Sequence, residues 1–309
     1  MRWDLSKPIT DYHHNDNGSG GKYKGKLVLR PSSIDSFIRC NYAFYKQQLE
    51  GQYGKPNAAS QVGTALHAVM EDTILARLSG EILSTDEMLK RGDQHWKDLN
   101  DKADIVYHGE TDFDTMATDL HAGVLALNEA LECIEPTAAE GRYSVAVKDH
   151  PMFSAMSGSL DVEVDNNVVD LKFTGRKKTN PQDYVLQQSI YVWLKQLNGI
   201  PAEKFDILNI VRPTKTAKAK YGDELVADWH FLEGKANIPY VQHWVDVILD
   251  RTAEYAKDPT PENAERLFQG TSPSNSYLCT PQWCSHWDTC PHVEALREAE
   301  QFDIVEMLK

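Results

Sequence analysis

Residues 158–175, G-S-L-D-V-E-V-D-N-N-V-V-D-L-K-F-T-G, constrain the fold of this chain more than any other stretch. Leu160, Val162 and Val164 alternate with Asp161, Glu163 and Asp165, the period-2 pattern of a strand with one apolar face. Asn166-Asn167 supplies a turn that tolerates positive φ, and residues 168–173 return as a second strand. Asp161 and Asp170 then fall on neighbouring strands, with Lys172 two residues past Asp170 on the same face. Each acid taken singly reads as part of a solvated strand face. Two carboxylates and an amine across a hairpin can together hold a hard divalent cation and orient a water beside it.

A chain of 309 residues buries a substantial core. Its 41% hydrophobic and 25% charged content is ordinary for a globular protein. No apolar run is long enough to cross a bilayer, and the N-terminus lacks a signal-peptide core, so a cytoplasmic protein with no membrane partner is expected. The net charge of −14 opposes binding to nucleic acid as a whole. Binding to phosphate works through patches, however. Two basic concentrations stand out: Lys172, Arg176, Lys177 and Lys178, and Arg212, Lys215, Lys218 and Lys220.

Residues 1–27, with His13-His14 and a run of Asn and Gly, read as a polar, irregular leader. Pro31-Ser32-Ser33-Ile34-Asp35 reads as a helix start with Ser32 and Asp35 in capping-box spacing, continuing through Cys40 towards Leu49. Gly63 opens a second helix that carries His67. Helical patterns near 85–100 and 112–134 include Trp96 and Cys133, the latter read as a packed thiol, and are expected to form a helical insertion at about 80–140. Tyr143, Val145 and Val147 alternate as a strand. An amphipathic helix from Pro181 to Leu197 presents Gln187 and Tyr191 one turn apart. Strands over 205–211 and 227–232 and a helix over 239–255 complete the pattern.

Five cysteines, an odd number without a signal peptide, argue for metal ligation or free thiols over a disulfide framework. Cys279-x4-Cys284-x5-Cys290-Pro291 is interleaved with Trp283, His286 and Trp287. Three close thiols and a distant fourth suit an iron–sulfur cluster or structural zinc, and His286 and His292 leave a mixed Cys/His zinc site open. Spacing alone does not separate the two metals.

In this order the motifs resemble the PD-(D/E)XK nuclease superfamily. The pattern is Cys40 followed by aromatics, Gly63-x-x-x-His67, Gly158-x-x-Asp161, Asp170-x-Lys172, Gln187-x-x-x-Tyr191 and the terminal cysteines. The resemblance is to its RecB-like iron–sulfur exonuclease branch, which includes the CRISPR-associated RecB-like exonuclease and the AddAB nuclease domain. It implies an α/β fold: a restriction-endonuclease-like core with a central mixed sheet flanked by helices, a helical insertion and a C-terminal iron–sulfur cap. The expected layout is a leader over 1–27, the core over 28–270 and a cysteine segment over 271–309 that pairs with Cys40. The resemblance also implies Mg²⁺ or Mn²⁺ on His67, Asp161, Asp170 and the Leu171 carbonyl, with Asp161, Asp170 and Lys172 catalytic. It places Gln187 and Tyr191 on the substrate strand. Cys40, Cys279, Cys284 and Cys290 would bind a 4Fe-4S cluster, with zinc as the second choice. Glu140 is one candidate for the glutamate that this family carries ahead of the Gly-x-x-Asp strand, a position the sequence leaves unassigned. The expected activity is cleavage of DNA, chiefly at single-stranded ends, in recombination, repair or end processing beside recombination or replication partner proteins. The rival expectation is a non-catalytic DNA-binding adaptor.

Overall fold

The computed structural model describes residues 2–5, 22–23, 26–109, 111–222, 225–270, 279–280 and 284–293. The chain forms two compact units. One comprises Lys55–Tyr143 with Gly158–Ile238, and the other Met1–Gly54, Ser144–Ser157 and Pro239–Lys309.

The first unit is a mixed sheet with helices on both faces. Its strands are β4 (Ala138–Val147), β5 (Phe153–Val164), β6 (Asn167–Thr174), β7 (Lys204–Val211) and β8 (Asp228–Lys235), adjacent in that order, and the unit boundary falls within β4 and β5. β5 and β6 are antiparallel, β6 and β7 parallel, β7 and β8 antiparallel. The helices α3 (Ala58–Leu78), α4 (Thr85–Lys102) and α5 (Phe113–Leu131) share a core with Val162, Val169, Leu171, Leu208 and Ile210. The opposite parity, Val168, Phe205 and Ile207, packs with Tyr191 and Val192 of α6 (Val185–Leu197), as strand alternation requires. Leu160 and Val162 would share a face in a regular strand. They join different clusters, so β5 departs from plain alternation around Asp161.

Local chemistry accounts for the helix starts. Asn57 accepts from the Ser60 N–H at 2.8 Å and starts α3 six residues before Gly63, so Gly63 lies inside the helix and does not open it. Ser84 and Glu87 form a reciprocal capping box on α4, and Asp112 caps α5 through the Thr115 N–H at 2.7 Å. Pro181–Tyr184 is a 3-10 turn ahead of α6, capped by Asn180, where the sequence suggested one continuous helix. A short α7 (Lys215–Tyr221), capped by Thr214, was not evident from apolar periodicity. The hairpin turn is Asp165 and Asn166 with the positive φ, 53°, on Asp165; Asn167 is already paired opposite Val164. Cys133 is exposed, not packed.

In the second unit, part of the expected irregular leader forms strands. β1 (Trp3–Asp4) pairs with β4 at Val147 and Ala146. β2 (Lys22–Tyr23) pairs with β3 (Lys26–Leu29), and β3 runs parallel to the start of β5. His13, His14 and Trp283 lie outside the described residues. The helix α1 (Pro31–Arg39) begins on Pro31 at its first position, where the missing N–H costs nothing, and has no side-chain cap. The Ser32/Asp35 capping box is therefore absent. The helix also does not continue through Cys40. That residue is extended (φ −156°, ψ 104°), and its Sγ accepts from the Ala43 N–H at 3.4 Å, capping α2 (Asn41–Phe44), which passes into a π-helical turn over Tyr45–Leu49. Phe37, Phe44, Tyr45, Tyr255 and Phe268 stack edge and face between α1, α2, α8 (Ile238–Tyr255) and the end of α9 (Pro261–Leu267).

One buried ion pair in the first unit was not legible as such. Glu163, expected to face water, is buried and pairs with the fully buried Lys195 of α6; Tyr143 Oη donates to Glu163 Oε1 at 2.8 Å. Removing one partner strands a buried charge. Lys195→Met is expected to lose about 3–5 kcal/mol of unfolding free energy in urea titrations. The double variant Glu163→Gln/Lys195→Met should recover most of it, because the amide oxygen still accepts from Tyr143. Equal losses in the single and double variants would count against this account.

Candidate active site

Asp161 on β5 is the meeting point of three elements. Its Oδ2 accepts from the Leu171 backbone N–H of β6 at 2.9 Å and lies 3.1 Å from Nδ1 of His67 on α3. Asp170 stands one residue before Leu171, and its Oδ2 lies 2.5 Å from Lys172 Nζ. Side-chain exposure grades from 3% at Asp170 through 15% at Asp161 and 21% at Lys172 to 31% at His67, so the carboxylates form the floor and His67 and Lys172 reach towards solvent.

Burial is the largest single influence on Asp161, Asp170 and Glu140. It pushes Asp161 up, but the His67 imidazole, the Lys172 ammonium and the Leu171 N–H outweigh it, and the carboxyl ends below its ordinary range. Asp170 goes the other way: burial, reinforced by the charge on Asp161, exceeds the help from Lys172. Burial lowers His67, yet the charge and hydrogen bond of Asp161 prevail and raise it. Glu140 on β4 belongs to the same field. Burial, then Asp161 and Glu71, push its carboxyl up to about 7. Glu140 has a φ of 49°, an uncommon backbone state for a residue with a Cβ.

The α6 face completes the wall. Gln187 Nε2 donates to Tyr191 Oη at 3.3 Å. The Tyr191 ring explains Gly158 at the head of the Asp161 motif: a Cβ there would sit 2.9 Å from Tyr191 Cε1 and 3.1 Å from Leu194 Cδ1. Burial, followed by the charges of Asp170 and Asp161, raises Tyr191. Tyr184, which sequence reasoning missed, aligns with Gln187 and Tyr191 at i, i+3 and i+7. Its ring centroid is 5.9 Å from Lys172 Nζ, and its buried hydroxyl has no hydrogen-bond partner among the described residues. Burial, Asp183 and Asp170 push that phenol up to about 12. Glu71, also missed, follows His67 by one turn of α3. The Tyr-x-x-Gln-x-x-x-Tyr and His-x-x-x-Glu spacings were the available signals.

In the other unit, a cavity of about 370 Å³ is lined by Cys40, Cys279, Cys284 and His286 among others. Burial pushes the Cys40 thiol up to about 11, with Cys290, Cys284 and Cys279 adding to the rise, so the four sulfurs lie in one electrostatic neighbourhood. Burial and the neighbouring cysteines raise Cys279 and Cys284 as well. Asn41 exchanges hydrogen bonds with Gly270, and Tyr42 Oη donates to the Thr289 carbonyl at 3.3 Å, so the flanks of Cys40 are tied to the C-terminal segment. All five cysteines are free thiols. Among the described residues, no three His, Cys, Asp or Glu side chains are arranged as a metal-holding group, at the cysteines or at the carboxylates. No described helix is long and apolar enough to cross a membrane.

Residues 29–291 match the model of the PD-(D/E)XK nuclease superfamily, and the chain belongs to that superfamily. The match spans both compact units and every motif residue described above. The crystal structure of SSO0001 aligns with 88% of this chain and 89% of that chain at 13% identity and a TM-score of 0.39. No curated protein matches the sequence.

The raised carboxyl of Glu140 has a signed consequence for stability. Between its unfolded value near 4.5 and about 7, the folded state holds a proton that the unfolded state has released, so stability falls as pH rises through this window and levels off above it. In divalent-free buffer, Glu140→Gln should therefore gain urea resistance over the wild type progressively between those limits. A difference that does not change with pH would refute the assignment.

Proposed function

We propose that this protein is a Mg²⁺- or Mn²⁺-dependent deoxyribonuclease that degrades DNA from single-stranded ends in recombination, repair or end processing. The observation that carries the reading is the convergence of Asp161, Asp170, His67 and Lys172, from α3, β5 and β6, in a chain of the PD-(D/E)XK superfamily. The exonucleolytic preference, the process served and the associated partner proteins rest on the order of its sequence motifs.

The donor set fits a hard divalent ion: two carboxylates, an imidazole and the Leu171 carbonyl, with histidine as the softest member. These four groups would hold it. When bound, such an ion neutralises phosphate charge and lowers the pKa of water at neutral pH. The protein's own contribution is positional. Asp161 is oriented by the Leu171 N–H, which leaves its other oxygen for binding. Lys172, held between Asp170 and the Tyr184 ring, would orient the attacking water and stabilise negative charge on the phosphorane-like transition state. Gln187, Tyr191 and the Tyr184 hydroxyl offer hydrogen bonds to the strand.

Cys40, Cys279, Cys284 and Cys290 would hold a 4Fe-4S cluster, for which an all-thiol donor set is the fitting chemistry, with zinc as the alternative. Its role would be structural, since it closes a loop of some 250 residues between Cys40 and Cys290.

Two measurements test the proposal. End-labelled single- and double-stranded DNA should be cleaved by anaerobically purified protein with Mn²⁺ or Mg²⁺ and spared in EDTA. Asp170→Ala and Lys172→Ala should each lower the rate by about 100-fold or more while retaining the far-ultraviolet circular dichroism of the wild type. DNA left intact by folded wild-type protein, or undiminished cleavage by Lys172→Ala, would favour a non-catalytic DNA-binding adaptor. The same preparation should be brown with broad visible absorption that Cys40→Ser removes; a colourless protein containing stoichiometric zinc would replace the cluster with a zinc site.

A further inference from the structure

Eight of the 32 basic residues stand in two short segments that contain no acid: Lys172, Arg176, Lys177 and Lys178, and Arg212, Lys215, Lys218 and Lys220. β6 and β7 are parallel neighbours with Thr174 opposite Val211, so both segments leave the sheet at the same edge. Some of these cations are already engaged. Lys178 pairs with Asp183 at 3.0 Å, and Lys218 with the buried Asp119 at 2.5 Å.

Arg212 is different. Its backbone N–H donates to the Thr174 carbonyl at 2.7 Å, and its guanidinium lies against Gly175, where a Cβ would stand 3.0 Å from Nη2. Its Nε is buried and has no hydrogen-bond partner among the described residues. The nearby Asp119 feels the Arg212 charge, but its carboxylate is engaged by Lys218. A buried guanidinium N–H without an acceptor is costly, and an anionic oxygen is the partner its geometry suits best.

The surrounding backbone is already shaped for this. Fully buried Asn209 accepts from the Lys178 N–H at 3.1 Å and donates to Thr174 Oγ1 at 2.9 Å, and Thr174 Oγ1 donates to the Arg176 carbonyl at 2.8 Å. Arg176 and Lys177, both exposed, are thereby carried on a fixed loop beside Arg212.

We propose that Arg212, laid across Gly175 and flanked by Arg176 and Lys177, is a phosphate-binding site for a nucleic-acid strand. It would grip a phosphodiester next to the one attacked at Lys172. Gly175 lies three residues beyond Lys172, roughly 10 Å along an extended chain, so the two positions take different phosphates. The proposal rests on the nuclease reading for the identity of the strand.

The test is binding of a fluorescent single-stranded oligonucleotide in EDTA, measured by anisotropy over a series of salt concentrations. Arg212→Gln is expected to weaken binding several-fold and to reduce the log–log salt slope by about 0.7, the contribution of one phosphate contact on a single strand. Arg212→Lys should keep the slope while losing affinity, and Arg176→Gln/Lys177→Gln should reduce the slope by roughly 1.4. Lys90→Gln, on the exposed surface of α4, serves as the charge control and should change neither quantity beyond experimental error. An unaltered slope in Arg212→Gln overturns the site, whether affinity is kept or is lost together with thermal stability. So does a wild type that does not bind. Cleavage with Mn²⁺, run in parallel, separates the two readings. Cleavage without any effect of Arg212 on binding removes this site and leaves the nuclease. An Arg212-dependent slope without cleavage removes the nuclease and leaves a phosphate site.

Discussion

The carboxylate of Asp161 holds the first unit's chemistry in place. It takes the Leu171 N–H from the neighbouring strand and the His67 imidazole from α3, and so fixes the spacing of a helix and two strands around one oxygen. A buried carboxylate needs such partners, because burial without pairing would drive it to protonate. Pairing with His67 and Lys172 reverses that tendency for Asp161. Asp170, more deeply buried and repelled by Asp161, is helped by Lys172 and less by His67, and is still pushed up. Two acids of one type are thus held in different electrostatic states by their surroundings. Under the proposed function, a divalent cation held by these residues would relieve the same repulsion.

Behind the carboxylates, Tyr191 couples two motifs that look independent in the sequence. Its ring occupies the space that a side chain at residue 158 would need, so the glycine heading the Asp161 strand is a packing requirement of α6. Gln187 is held by the same tyrosine. Lys195, one turn further along the helix, inserts into the sheet to meet Glu163. A buried pair of this kind adds little net stability over apolar residues of the same shape. It does tie α6 to β5 in a single register, two residues from Asp161.

The regular elements were legible because their signals are local. The strands flanking the Asp161 hairpin, the periodicity of α4 and α5, and the strand over 205–211 all emerge from period and propensity. The departures arise where a side chain competes with the backbone or a distant partner decides. Cys40 interrupts a periodic helical pattern by capping the next turn with its own sulfur. Asn57 starts α3 earlier than the Gly63 motif suggests, since a cap outweighs a motif boundary. Asp165 takes the positive φ because the register of Val164 with Asn167 leaves only two residues for the turn. Glu163 could not be told from its solvated neighbours without Lys195, 32 residues away. Of the site, His67, Asp161, Asp170 and Lys172 were named from motif order. Tyr184 and Glu71 escaped because single residues at helical spacing carry too little information.

An acidic chain with a strand-binding surface is not a contradiction. Exposed charges more than a Debye length apart, about 8 Å at physiological ionic strength, scarcely feel one another. The potential at residues 175–178 and 212–220 is therefore set by neighbours within that range. Two acids in that range, Asp119 and Asp183, are committed to Lys218 and Lys178. The remaining excess of acid keeps the rest of the surface from holding phosphate non-specifically. A nucleic-acid strand would then be retained where Arg212, Arg176 and Lys177 gather, and that is the edge from which the strand carrying Asp170 and Lys172 emerges.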